Sequence, residues 1–283
     1  MTNEQLEQCK TCLHRKKGTF EADEICSITD FTPTDGEACP KYVLKPVPAL
    51  LSTNKLEALK PNANRAKYVM IAILVVMFLD LITAISEYFQ YNLLLDLKDG
   101  IYVSDEMITN NDLRKQVIAI FYTIAFITSA VFFIMWFRRA YYNLSIRTEN
   151  TYYGEGWAAG SWFLPIISLF RPYQIMKELD EDTSELLSKA TKQEVDTNSF
   201  IIGTWWTLWI LINYFGQTLI KRLLQGESIN DFINLTVLDM VNSCLGIPLA
   251  LITYFMIKNY ANKEAALVTE ENRKPETPTE TAF

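Results

Sequence analysis

Four of the five cysteines precede residue 40, as Cys9, Cys12, Cys26 and Cys39, with the spacing C-x2-C-x13-C-x12-C. A C-x2-C turn aims two thiolates at one ion, and four thiolates complete the tetrahedral shell that zinc prefers. Residues 1–45 hold few large apolar side chains (Leu13, Phe20, Ile25, Ile28, Phe31 and Tyr42 among them), so burial alone is too little to fold them and a staple is required. The pattern predicts a small, cysteine-rich, zinc-ribbon-like module in the cytosol, with Cys9, Cys12, Cys26 and Cys39 as metal ligands and zinc as a structural cofactor. A four-cysteine iron site shares this ligand set, and disulfides would need an oxidising compartment. His14, the single histidine, is an alternative ligand. A closed four-thiolate site leaves no coordination position for water, which points to docking or regulation rather than hydrolysis.

The second group of chemically competent residues interrupts long apolar stretches. Asp80 lies within 68–86, Asp239 within 233–257 with Asn242 one turn deeper, and Asn213 and Gln217 stand one turn apart within 200–220. Tyr122 and Thr123 open the stretch 117–137 from the same side. Ionisable groups inside a bilayer are costly and raise a functional question by default. These five polar residues, Asp80, Asn213, Gln217, Asp239 and Asn242, have two readings. They form an intramembrane polar site for a small solute or an ion, or the acids sit near headgroups while the amides join helices through hydrogen bonds. A third group, Arg138, Arg139, Asn143, Trp157, Trp162, Pro165, Arg171 and Tyr173, reads as a cytoplasmic-face site that binds anionic lipid or anchors the helices. Cys244, inside the last apolar stretch, reads as a small buried hydrophobe.

The elements that position these groups follow from where charge is missing. The chain has 283 residues, 49% hydrophobic and 21% charged, which would suit a soluble enzyme, but the charges avoid particular stretches. Val117 to Phe137 carries none, and Tyr68 to Ser86 only Asp80. A hydrocarbon core of roughly 30 Å needs about 20 helical residues, and 68–86, 117–137, 200–220 and 233–257 all approach that length. A soluble bundle would show polar residues every third or fourth position, which 117–137 lacks. The fold class expected is an all-α integral membrane protein with four transmembrane helices. Twenty-one of the 26 Lys and Arg residues fall on one side if both termini are cytoplasmic, and five on the other. No apolar leader occurs in the first 60 residues, which agrees with a cytoplasmic N-terminus. All six tryptophans fall at the cytoplasmic ends of spans or between them in this arrangement, where indole rings favour the interface.

Between the second and third spans, Trp157 to Phe170 is apolar but short and carries Pro165, so a re-entrant or interfacial segment over 157–187 is expected, with a fifth crossing as the alternative. Ile175, Met176, Leu179, Leu186 and Leu187 make an apolar helical stripe beside Lys177, Glu178, Asp180, Glu181 and Asp182, read as a helix along the cytoplasmic surface. Residues 46–66 read as a linker, 67–260 as the transmembrane domain, and 261–283 as an acidic disordered tail. The net charge of −7 includes no basic face for nucleic acid.

Trp136-Phe-Arg-Arg139-Ala-Tyr-Tyr-Asn143, Gly156-Trp157-Ala-Ala-Gly160-Ser-Trp162-Phe-Leu-Pro165, Arg171-Pro172-Tyr173-Gln174-Ile-Met176-Lys-Glu178 and Trp205-Trp206 together resemble a bacterial membrane-protein family, domain of unknown function 4328, over roughly residues 65–260. The resemblance implies a multi-pass membrane domain and no particular activity. No Gly-rich phosphate loop or H-E-x-x-H occurs, and a single histidine leaves little for nucleophile activation. The leading expectation is therefore a non-enzymatic protein of the bacterial inner membrane, in contact with the lipid bilayer, whose metal module docks a cytosolic partner or regulates the bundle. A small-solute or ion transporter or channel is the alternative, and an intramembrane enzyme acting on lipid through Arg139 or Glu178 a third.

Overall fold

The computed structural model describes residues 15–17, 24–26, 53–148, 151–223 and 228–272. Two short strands, β1 (Arg15–Lys17) and β2 (Glu24–Cys26), pair antiparallel with Arg15 opposite Cys26. Cys9, Cys12 and Cys39 lie outside the described residues. The remainder is helical: α1 (Thr53–Ala58), α2 (Ala63–Lys98), α3 (Asp105–Arg147), α4 (Trp157–Gly160), α5 (Arg171–Thr191), α6 (Ser199–Leu223) and α7 (Ile229–Glu271).

Three helical stretches are long and apolar enough to cross a bilayer among the described residues: Lys55–Lys98, Asp105–Arg147 and Ile229–Glu271. They contain the expected spans 68–86, 117–137 and 233–257. Ile71, Val75, Phe78 and Ile85 on α2, and Ile120, Phe121, Ile124 and Ile127 on α3, are exposed, which is the arrangement a hydrocarbon solvent rewards. α6 covers the expected third span and is not among these three stretches; Thr204, Thr207, Asn213 and Gln217 lie among its tryptophans and aliphatic residues.

α3 and α7 have 43 residues each, about 65 Å of helix, roughly twice the hydrocarbon thickness. The surplus builds structure at both ends. Ser104 caps α3, accepting from the Met107 N–H at 3.2 Å, with Asp105 and Glu106 in the first turn where the helix dipole favours anions. The polar stretch from Asp105 to Gln116 is thus the first three turns of a helix. α7 opens on a capping box of Ser228 and Asp231 and continues to Glu271, past position 261 where composition alone suggests a disordered tail. The extension is ordered by Glu264, Leu267 and Glu271, all buried on one face. Residues 273–283 lie outside the described residues.

α2 packs against α3 and, most extensively, against α7; α6 packs on α7, and α5 against α7, α6 and α3. Asn62 meets Glu264 and Asp80 meets Gly246, so α2 and α7 run antiparallel in a constant register. Burial on α5 is wider than its apolar stripe suggests. Ile175, Met176 and Leu179 are buried, but so are Glu178, Asp180 and Asp182, because partners from α3, α7 and the segment before α6 receive the first two acids. Pro248 interrupts the α7 hydrogen-bond ladder opposite the Cys244 carbonyl. Cys244 itself is exposed rather than buried, since it points away from the α2 seam that Gly246 faces.

Candidate functional site

The seam between α2 and α7, flanked by α3, collects most of the polar groups found inside the apolar stretches. Asp80 is 3% exposed. Its carboxylate fills the space that a side chain on Gly246 would take, with Oδ2 2.5 Å from the position of a Cβ there. The Tyr122 hydroxyl of α3 faces the same carboxylate. One turn toward the α2–α3 hairpin, Thr83 Oγ1 and Asn242 Oδ1 are buried without a hydrogen-bond partner among the described residues. The α2–α7 register places these two between the Asp80–Gly246 contact and the pair Glu87 and Asp239. Lys115 closes this end, its Nζ 3.1 Å from Glu87 and its charge acting on Asp239 as well. Further out, Arg114 donates to the Ser86 hydroxyl and carbonyl at 3.1 Å, and Asn111 donates to Gln90. The result is a polar track from the hairpin end of the bundle to a carboxylate that no basic side chain pairs among the described residues.

Asp80, Asp239 and Asn242 are thus brought to one seam. Asn213 and Gln217 are not: both are exposed on α6, and Asn213 Nδ2 donates to the Trp209 carbonyl of its own helix at 2.8 Å. Tyr122, Thr83 and Gly246 complete the seam. Tyr122 carries a sequence signal as a polar ring opening a charge-free run; Gly246 carries none.

The opposite end of the bundle separates the residues expected at the cytoplasmic face into three environments. Asn143 belongs to a buried network: its Nδ2 donates to Glu264 at 2.8 Å and to the Lys60 carbonyl at 2.9 Å, while Glu264 also accepts from Asn62. Arg147 lies beside Glu264 and makes a two-point contact with Glu271 at 2.8 and 3.1 Å. Nearby, Tyr141 donates to Glu178 at 2.8 Å, Glu178 accepts from the Tyr152 N–H at 2.7 Å, and the Tyr153 N–H donates to the Tyr141 oxygen at 3.0 Å. Burial and the adjacent Glu178 charge push the Tyr141 hydroxyl well above its usual range, so it stays a donor. Glu178 is thereby committed to holding the chain ahead of α4.

The second environment is aromatic. Trp162 sits in a cage of Phe133, Phe137, Trp205, Trp206 and Trp209, and Trp206 stacks on Trp209 at 4.6 Å. Tyr173 meets Trp206, and Arg171 lies 4.0 Å over the Tyr153 ring and 5.6 Å from that of Trp157. Pro165 falls between two single-turn 3-10 helices, Ser161–Phe163 and Ile167–Leu169, and its carbonyl accepts from Ser168. The Trp206 indole N–H donates to the Leu169 carbonyl at 3.1 Å, tying this folded-back segment to α6. No helix of crossing length forms over 157–170, and Phe163 and Ile166 are 74% and 77% exposed.

The third environment is a group of arginines. Arg138 is exposed and Arg139 half-buried on α3. Arg65 of α2 joins them, its Nη1 donating to the Met135 carbonyl at 2.7 Å. Burial, then the charges of Arg139 and Arg138, lower the pKa of Arg65. Arg171 and Asn143, grouped with Arg138 and Arg139 by sequence proximity to the tryptophans, are held elsewhere.

A family model described as "Domain of unknown function (DUF4328)" matches residues 99–262. The match takes in Tyr122, Asp239, Asn242, Gly246 and the α3 arginines, and leaves Asp80 and Arg65 outside it. No curated protein and no solved structure matches the chain.

Proposed function

The chain belongs to the DUF4328 family, and from that premise we propose that it is a four-span protein of a bacterial inner membrane, both termini cytoplasmic, that carries a proton or a small monovalent cation on Asp80. One observation carries the reading: a nearly fully buried carboxylate on the α2–α7 seam faces a tyrosine hydroxyl and a glycine, without a basic partner among the described residues. An unpaired carboxylate in apolar surroundings is costly, and taking up a proton or a cation removes that cost. Thr83 Oγ1 and Asn242 Oδ1 offer further oxygens of the kind hard cations accept. Glu87, Lys115 and Asp239 form the entrance, opposite the cytoplasmic face. The fourth span is α6, whose 25 residues make about 37 Å of helix, enough to cross.

The test is ion flux into liposomes that contain the purified full chain and a trapped pH dye, with a potassium diffusion potential as driving force. Proton entry that Asp80→Asn abolishes, while insertion and thermal unfolding stay unchanged, supports the reading. Equal flux in both proteins, or none in the native protein under proton and sodium gradients alike, rejects it.

A second reading concerns the N-terminus and follows from the β1–β2 hairpin. The strand pairing returns Cys26 to Arg15, three residues after Cys12 in the sequence. A zinc module of Cys9, Cys12, Cys26 and Cys39 that docks a cytosolic partner or regulates the bundle is consistent with that return. About one zinc per chain by elemental mass spectrometry, lost in Cys9→Ser/Cys12→Ser, is the expected result. A native protein without metal, prepared free of chelator, would remove this reading and leave the first untouched.

A further inference from the structure

We infer that Arg65, Arg138 and Arg139 form a binding site for the phosphate group of an anionic phospholipid on the cytoplasmic face. Arg65 of α2 donates to the Met135 carbonyl at 2.7 Å, one turn of α3 before Arg138 and Arg139, and the three charges act on one another. None of the three has an acidic partner among the described residues, whereas the other arginine of this face nearest α7, Arg147, has two. Like charges held this close repel, and a bound anion turns the repulsion into attraction. Arg65 is fixed by its bond to the Met135 carbonyl, so its position is set before any ligand arrives.

The location fits a headgroup. Tyr68, three residues after Arg65, and Phe132, seven before Arg139, put their ring centroids 6.3 Å apart on the bilayer side of the arginines. The amphipathic tyrosine ring favours the membrane interface, which leaves the guanidinium groups at the depth of the phosphate. Arginine presents a planar fork that matches two phosphate oxygens, and lysine only a point charge. Arg171, occupied with Tyr153 and Trp157, stands apart from this site.

The full chain is purified from membranes, exchanged into nanodiscs of phosphatidylcholine doped with phosphatidylglycerol, and the lipid it retains is counted by native mass spectrometry. Retained phosphatidylglycerol is expected to fall about fivefold for each arginine changed to glutamine. Lys192→Gln, an exposed charge at the end of α5, is expected to change nothing. Arg138→Lys/Arg139→Lys keeps the charge, removes the fork and is expected to lose retention as well; simple electrostatic anchoring would leave that variant unaffected. Arg138 is exposed, so Arg138→Gln alone tests the site without threatening the fold. If inorganic phosphate displaces the lipid and raises the melting temperature of the native chain but not of Arg138→Gln, the site holds phosphoryl groups of soluble origin and its chemistry stands. Retention unchanged in the arginine variants, or reduced equally in Lys192→Gln, overturns the inference.

Discussion

The Asp80 carboxylate occupies the volume that any side chain on Gly246 would require. This one contact ties the middle of α2 to the middle of α7 and explains why an acid so deep in an apolar helix has room. It also predicts the effect of Gly246→Ala. Alanine favours a helix interior over glycine by about 1 kcal/mol, so without the contact the variant would be more stable. With it, the methyl group must displace Asp80 or part the helices, at about 1–3 kcal/mol. The expected result is a net fall in thermal stability in detergent, reversed in Asp80→Ala/Gly246→Ala. A rise in the melting temperature of Gly246→Ala alone would contradict the contact.

Arg147 and Glu271 are a buried pair, 2% and 6% exposed in their side chains, with Glu264 on the other side of the guanidinium. Removing one partner of such a pair strands a buried charge, at about 3–5 kcal/mol. Arg147→Met is therefore expected to be severely destabilising. Arg147→Met/Glu264→Gln/Glu271→Gln, which removes the stranded charges too, is expected to regain most of the loss. A triple variant no more stable than Arg147→Met would mean that the pair contributes little coupling. Thermal unfolding of the series in one detergent measures it.

How much of this was legible follows from what each element depends on. The cores of α2, α3 and α7 were readable because crossing a bilayer leaves a local record, a run of apolar residues of sufficient length. The ends of the same helices were not. Asp105 to Gln116 is polar enough to pass for a loop, although Ser104 followed by Asp105 and Glu106 is a start signal by type and position. Residues 261–271 are charged enough to pass for a tail, and what orders them is Arg147, more than 120 positions away. Composition holds no trace of such pairings. Asp80, Asp239 and Asn242 were found because acids and amides are rare in apolar runs; Gly246 and Arg65 were missed because a glycine or a flanking arginine is unremarkable until the helix register sets it against its neighbour.

Glu178 and Tyr141 together hold the chain that leads into the folded-back segment, through the N–H groups of Tyr152 and Tyr153. Tyr141→Phe removes one acceptor and one donor with little change of shape, and a loss of about 1 kcal/mol is expected. The sharper readout is local: amide hydrogen exchange should speed up over residues 151–156 while α7 stays protected. Glu178→Gln, whose single carbonyl oxygen replaces two carboxylate oxygens, should do the same. Exchange unaltered in both variants would show that this loop is held by other means.

α6 decides the topology. If it crosses, residues on its two flanks face opposite compartments, and those in the α2–α3 hairpin share a side with the start of α7. In a cysteine-free background, Asp99→Cys and Asn230→Cys should react with a membrane-impermeant maleimide applied to intact cells from outside. Glu194→Cys should react only after the membrane is opened. The three-helix alternative keeps α6 on the cytoplasmic side and still sends α7 across. It would put Asn230 inside and the α7 C-terminus outside, against the antiparallel α2–α7 register, so labelling at Asn230 separates the two arrangements by itself. The Lys and Arg distribution favours the crossing, because only with α6 spanning do both the 138–199 segment and the residues from Lys258 onward lie on the cytoplasmic side. Labelling of Asn230→Cys from inside alone would make α6 an interfacial helix and move the entrance formed by Glu87, Lys115 and Asp239 into doubt with it, since Asp239 lies little more than two turns from that position on the same helix.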